Sequence, residues 1–141
     1  MAEPIRVWLI EDHKTYRERL AGTLNRLEDI TCPQCFTACE DALAALLKQD
    51  PPNVLLLDVE LPGMSGIDAI ASLRELAPNT AIVIITVFED DDKIFRAISA
   101  GATGYLLKTS DVEDITSSVR SAAAGGSPIN PMIARRVLAS F

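Results

Sequence analysis

The chain lacks any apolar run approaching the ~20 residues needed to span a bilayer. Its first residues, Met1-Ala2-Glu3-Pro4, lack the charged segment and apolar stretch of a secretory leader. The expectation is a cytoplasmic protein with no membrane partner. Basic charge is also short: 20 acidic residues against 13 basic give a net charge of −7. DNA binding requires Lys and Arg to neutralise the phosphate backbone, so direct contact with nucleic acid is disfavoured. Cysteine is scarce and odd in number, with Cys32, Cys35 and Cys39 close together. That count argues against a disulfide scaffold and for reduced thiols in an intracellular setting. Neither GxxxxGK[ST] nor GxGxxG occurs, so a nucleotide-cradling loop is excluded. Internal repeats and low-complexity tracts are absent as well.

What is present is enough for one packed domain: 141 residues, 48% hydrophobic and 23% charged. Four unbroken apolar runs, Val7 to Ile10, Val54 to Leu57, Ile82 to Ile85 and Tyr105 to Leu107, read as strands buried on both faces. A fifth is expected near Thr31 to Thr37, at a sheet edge because Pro33 lacks a ladder donor. Between the runs, apolar residues recur at helical spacing: Tyr16, Leu20, Leu24, Leu27; Leu43, Leu46, Leu47; Ile67, Ile70, Leu73, Ala77; Ile94, Ala97, Ile98; and Val112, Ile115, Val119, Ala122. The acidic stretch Glu89 to Asp92 is expected to open the fourth of these helices, and Ser110 or Asp111 to cap the fifth. Strand–helix alternation repeated five times implies a doubly wound α/β fold, a parallel sheet with helices on both faces. Gly125-Gly126-Ser127-Pro128 should stop the last of these helices, and Met132 to Phe141 can begin another with Pro131 in its first turn. Residues 125–141 read as a linker running into a helix.

Each of the four strong runs ends in a polar group: Glu11 and Asp12, then Asp58, then Thr86, then Lys108. The carboxyl ends of parallel strands share one edge, where ligands bind, so these residues should converge. Carboxylates so crowded repel by ~3 kcal/mol per pair at ~5 Å and an effective dielectric near ~20 unless a cation lies between them. A few carboxylates with room for water and phosphate oxygens suit Mg²⁺. With an ammonium and a hydroxyl beside it, Asp58 becomes the natural nucleophile for phosphoryl transfer.

The segments Leu9-Ile10-Glu11-Asp12-His13, Leu56 to Gly66 (LLDVELPGMSG) and Gly101 to Lys108 (GATGYLLK) resemble the receiver motifs of two-component response regulators, the CheY-like domain. The likeness runs from Ile5 to about Ala124. Tyr105 to Lys108 together with the Gly-Gly-Ser-Pro tail is most similar to the NarL/FixJ (LuxR-type) subfamily. The resemblance implies a flavodoxin-like strand order 2-1-3-4-5 and a receiver domain over residues 4–124. Its DNA-binding helix-turn-helix effector would lie outside this chain. It further implies that Asp58 accepts phosphate from the phosphohistidine of a sensor histidine kinase. Asp12 would bind Mg²⁺ directly, Glu11 through water, and Glu60 through its backbone carbonyl, with Asp58 the remaining metal ligand. Thr86 and Lys108 would contact the phosphoryl group, and Thr86 and Tyr105 would act as switch residues. Transcription is the expected output, possible homodimerisation on phosphorylation an expected consequence, and the domain would not be a turnover enzyme.

Three positions depart from the common pattern. Val87 stands where many receivers have a small residue that leaves water a path to the aspartate, which implies slower acyl-phosphate hydrolysis. Thr109 replaces a proline that is often cis, and a non-proline cis bond would cost ~3 kcal/mol, so trans is expected. Cys32-Pro33-Gln34-Cys35 has redox or zinc spacing, but a structural zinc site needs four ligands. Strand cysteines more often pack as small hydrophobes, and that reading is adopted. His13, at the start of the first helix, is read as a spectator. Two other function classes compete: an aspartyl phosphatase suggested by Asp58-Val59-Glu60, and a binding module that has lost phosphorylation. The phosphatase nucleophile would usually end the first strand, and the complete set of strand-end groups argues against the module.

Overall fold

A computed structural model describes residues 3–61, 63–87 and 90–139. In chain order the elements are β1 (Ile5–Ile10), α1 (Lys14–Asn25), β2 (Ile30–Phe36), α2 (Cys39–Leu46), β3 (Val54–Leu57), α3 (Gly66–Leu76), β4 (Ala81–Thr86), α4 (Asp91–Ala100), β5 (Gly104–Leu107), α5 (Val112–Ala123) and α6 (Pro131–Ala139). The five strands form one parallel sheet in the order β2-β1-β3-β4-β5, as expected.

Alternate strand residues enter opposite cores, which explains why the apolar runs show no alternation. Trp8, Ile10, Leu55, Leu57, Ile82, Ile84, Tyr105 and Leu107 pack with residues of α2, α3, α4 and α6. Val7, Leu9, Val54, Leu56, Val83, Ile85 and Leu106 pack with α1 and α5. Helices therefore cover both faces. Caps fix where several begin: Asp90 accepts from Asp92 N at 2.8 Å, and Ser65 Oγ from Asp68 N at 3.2 Å. Glu89 of the acidic stretch, Pro62 of the Asp58 motif, and Ser140 and Phe141, where the terminal helix was expected to run on, lie outside the described residues.

Two helical residues expected inside are outside. Leu47 is 72% exposed because α2 stops at Leu46 and Leu47 is its C-cap. Val112, the first residue of α5, is also exposed, and Thr116 is buried in that helix instead. Pro33 does sit on the edge strand, in a bulge: Arg6 pairs with Thr31 but Trp8 with Gln34, so β2 carries one extra residue. The Asn25 amide holds this irregular stretch, accepting from Cys32 N at 2.7 Å and donating to Cys32 O at 3.2 Å.

The tail behaves differently from a linker. Tyr105 N donates to Pro128 O at 3.0 Å, Asn130 N donates to Tyr105 O at 3.1 Å, and Ile129 forms a parallel bridge with Tyr105 along the free side of β5. Only glycine fits opposite: a Cβ on Gly104 would lie 2.4 Å from Pro128 O. Beyond this bridge α6 folds onto the domain, with Ile133 fully buried in the same core as Tyr105 and Arg136 3.7 Å from Asp91 of α4. Sequence alone missed this docking because α6 buries little besides Ile133.

Docking makes Ile133 a structural residue. In urea unfolding, Ile133→Ala should lower stability by about 2–4 kcal/mol. Leu138→Ala, on the 73% exposed side of α6, should stay within about 0.5 kcal/mol of the parent. Equal, small effects would mean that the tail is undocked in solution.

Candidate functional site

The carboxyl ends of β1, β3, β4 and β5 meet at one edge, and backbone bonds fix their height. Asp58 N donates to Ile10 O at 3.1 Å and Lys108 N to Thr86 O at 2.8 Å, so each loop leaves the sheet level with its neighbour. Asp58 follows β3 directly and is 4% exposed, and Glu11 follows β1 and is fully buried. Asp12, next in sequence, faces solvent. One carboxylate oxygen from each of the three lies within 4.8 Å of the others. This is the convergence that the strand ends imply.

Lys108, following β5, closes the cluster. Its Nζ lies 3.0 Å from Asp58 Oδ2 and also pairs with Glu11 Oε1. Asp58 Oδ1 accepts from Glu60 N at 3.1 Å, and Glu11 Oε2 from His13 N at 3.0 Å. Burial pushes the Asp58 carboxyl up to about 6, reinforced by the charge of Glu11 and opposed by Lys108 and the Glu60 N–H. Glu11 is also raised by burial, but Lys108 and the His13 N–H outweigh this and hold it below the usual carboxylate range. Burial alone would lower the Lys108 ammonium, whereas its two carboxylate partners hold it above its ordinary value.

Thr86 is fully buried at the end of β4, beside the peptide that sets Lys108. Tyr105 is fully buried one strand away; burial, with the charges of Asp90 and Asp58, pushes its phenol up to about 12. The Glu60 side chain goes to Lys93 at the start of α4, 2.6 Å away, so only its backbone is directed to Asp58 among the contacts described. His13 caps α1, its Nδ1 accepting from Tyr16 N at 3.4 Å. The Lys108–Thr109 peptide is trans. Gly66 lets α3 begin against the loop after Asp58, since a Cβ there would lie 2.3 Å from Asp58 O.

Two contributors escaped the sequence reading. The Tyr16 ring lies under Lys108, with Nζ 4.9 Å from its centroid, a cation–π contact that adds to the aim of the ammonium. Arg17 donates to Glu11 O at 3.0 Å and Asp12 O at 3.2 Å, bracing the acid-pair loop. Both lie in the first turn of α1, four and five residues after Asp12, a positional signal, but Tyr16 was absorbed into the apolar stripe of α1. A hollow of about 400 Å³ beside Glu11, Asp12 and Lys108 is lined also by Tyr16, Val87 and Thr109. It gives a reactant access to the cluster from solvent.

The donor set fits a hard divalent cation. All three side chains offer oxygen, and three carboxylates facing one ammonium leave two negative charges to be balanced. Asp12, exposed beside two buried partners, is the open side of such a site.

Residues 7–120 match the family described as the response regulator receiver domain. The chain is 36% identical over 136 residues to the uncharacterized transcriptional regulatory protein YxjL of Bacillus subtilis (strain 168), covering 96% of the chain and 62% of that protein. It is 32% identical over 123 residues to the nitrate/nitrite response regulator protein NarL of Escherichia coli (strain K12), covering 87% and 56% respectively. The chain thus spans less than two thirds of the length of these relatives. Among solved structures, a LuxR-family two-component response regulator from Aurantimonas sp. SI85-9A1 aligns with TM-score 0.90 at 25% identity over 98% of both chains. The signal receiver domain of the putative response regulator NarL from Mycobacterium tuberculosis aligns with TM-score 0.79 at 29% identity over 88% of this chain and 99% of that one. An acid cluster and a lysine reached from the residues thus meet a likeness over most of the chain, which belongs to the response regulator receiver domain family of two-component systems.

Proposed function

We propose that the chain is a phosphorylation switch in which Asp58 accepts a phosphoryl group from the phosphohistidine of a sensor histidine kinase. The observation that carries this reading is the Lys108 ammonium, 3.0 Å from Asp58 Oδ2 and paired with Glu11, in a pocket still two charges too negative. A carboxylate oxygen of Asp58 attacks phosphorus, the P–N bond breaks, and the leaving imidazole takes up a proton. Lys108 neutralises oxygen charge as the bond forms, and the Thr86 hydroxyl supplies a hydrogen bond to the transferred group. Asp12, Asp58, the Glu60 carbonyl and, through water, Glu11 would hold Mg²⁺, whose contribution is to neutralise phosphoryl oxygens. Water attack on the acyl phosphate resets the switch, so no external substrate is turned over.

Phosphorylation adds charge and acceptor oxygens that draw Thr86 toward Asp58 and let Tyr105 turn. Because Tyr105 is bonded through its backbone to the 128–130 segment, the altered surface includes α4, β5 and the docked tail. In this reading residues 4–124 carry the switch, in the cytoplasm, and homodimerisation is a candidate output. DNA would be reached only through an effector domain continuing from the tail, consistent with the net charge of −7 and with the transcriptional regulators among the relatives.

The direct test is intact mass after incubation with Mg²⁺ and acetyl phosphate. The parent should gain one phosphoryl group and Asp58→Asn none; an equal gain in the variant would overturn the assignment. Val87, 63% exposed on the wall of the site hollow, should shield the acyl phosphate. Val87→Ala is expected to shorten its half-life by about 2–10-fold in a phosphate-release assay.

Burial of Asp58, reinforced by the charge of Glu11, gives a third expectation. In chelator, the folded-state carboxyl of Asp58 titrates near 6, above its unfolded value, so the folded protein binds the extra proton between about pH 4 and 6. That contribution to stability is present at lower pH and is lost as pH rises through 6. Asp58→Asn should therefore be more stable than the parent at pH 7.5, on the order of 1–3 kcal/mol, with the advantage reduced to about a third at pH 4.5 and gone only below the unfolded value of about 4. Thermal melts at the two pH values measure it, and Mg²⁺ should raise the melting temperature of the parent more than that of the variant.

A further inference from the structure

The three cysteines are not equivalent. Cys32 and Cys39 are buried, as the packing reading expects, but Cys35 is exposed. In a regular strand, residues three apart point to opposite faces. The extra residue at the Pro33 bulge reverses that parity: Cys32 packs beside Leu20, Leu24 and Ile30, and Cys35 pairs with Leu9, which faces the same α1 side. The two sulfurs consequently lie 4.0 Å apart on one face of an edge strand. Among the described residues the one group of three or more metal-ligating side chains is Glu11, Asp12 and Asp58, so the thiols have no further ligands for a structural zinc.

We propose that Cys35 and Cys32 form a thiol–disulfide exchange site, Cys35 attacking a low-molecular-weight disulfide and Cys32 resolving the adduct into an intrachain disulfide. In the first step the Cys35 thiolate bonds to one sulfur of the small disulfide, whose S–S bond breaks and releases one thiolate. Cys32 then gives its proton to that thiolate and attacks Cys35 Sγ, expelling the second small thiolate, which takes from water the proton that Cys35 gave up on ionising. Overall the two cysteines lose two hydrogens and one small disulfide becomes two thiols. The direction of attack follows from the surroundings. The hydrogen bond from Cys32 and the positive charge of Arg17 bring the Cys35 thiol down to about 7, near the optimum for an attacking thiol, while the same bond and burial raise Cys32. Closing the pair requires the sulfurs to approach from 4.0 Å to about 2.05 Å, in an irregular edge segment tied to its neighbours by Asn25 rather than by a continuous ladder. None of the phosphoacceptor side chains takes part in the exchange, although Arg17, which braces the acid-pair loop, also faces Cys35.

Cys39 provides an internal control, since burial and the charges of Glu40 and Asp58 push it up to about 12. The whole chain is incubated with oxidised glutathione at pH 7.5, quenched by alkylation and analysed by intact mass and peptide mapping. The parent should lose two hydrogens through a Cys32–Cys35 bond that dithiothreitol reverses, leaving Cys39 alkylated. Cys32→Ser, or Cys32→Ala if serine disturbs the buried position, should retain glutathione on Cys35. Cys35→Ser should react about tenfold or more slowly. Three free thiols in the parent, a stable glutathione adduct on the parent, or reaction at Cys39 as fast as at Cys35 would each overturn the proposal.

Discussion

Everything at the candidate site depends on one ammonium placed between two buried carboxylates. Lys108 can reach Asp58 and Glu11 only because β1 and β3 are neighbours and β4 and β5 carry the lysine to the same edge. Without it the buried Glu11 and Asp58 would face each other uncompensated, a severe cost in a medium that solvates charge poorly. The sheet therefore does more than support the site. Its register, fixed by bonds such as Asp58 N to Ile10 O and Lys108 N to Thr86 O, sets a spacing at which attraction outweighs desolvation for Glu11 and Lys108, while burial still prevails at Asp58.

The same arrangement explains why the site is incomplete as protein alone. A lysine balances one of three negative groups and leaves an opening on the Asp12 side. The architecture fixes anionic oxygen donors in advance, so under the proposed function the reorganisation needed on taking up a cation or phosphate would be small. Tyr16 beneath the ammonium and Arg17 behind the acid-pair loop belong to this rigidity, both supplied by the helix that immediately follows Asp12.

Much of this was legible in the residues because the signals were redundant. Val54 to Leu57 is both an apolar run of strand length and the lead-in to a carboxylate, and the structure starts and stops β3 at those residues. The central strands, buried on both faces, could hardly read otherwise. What was not legible turned on single residues. Leu47 and Val112 fit helical spacing yet lie at helix ends, where a stripe no longer points inward. Tyr16 served two purposes and displayed only one. The facing of Cys35 depended on a bulge, and strand parity cannot be counted through an inserted residue whose position the sequence does not mark. The helix of the tail was legible from Pro131 onward, but its docking was not, because it rests on backbone bonds to Tyr105 and one buried isoleucine, neither of which leaves a periodic trace.

That docked tail bears on how the molecule avoids its own kind. An open parallel sheet ends in two strands with spare amide and carbonyl groups, each able to recruit a foreign strand and begin aggregation. At β5 the 128–130 stretch occupies the amide and carbonyl of Tyr105. At β2 the bulge around Pro33 breaks the regular row a newcomer would need. One border is covered and the other is made uneven, so the sheet can stop at five strands.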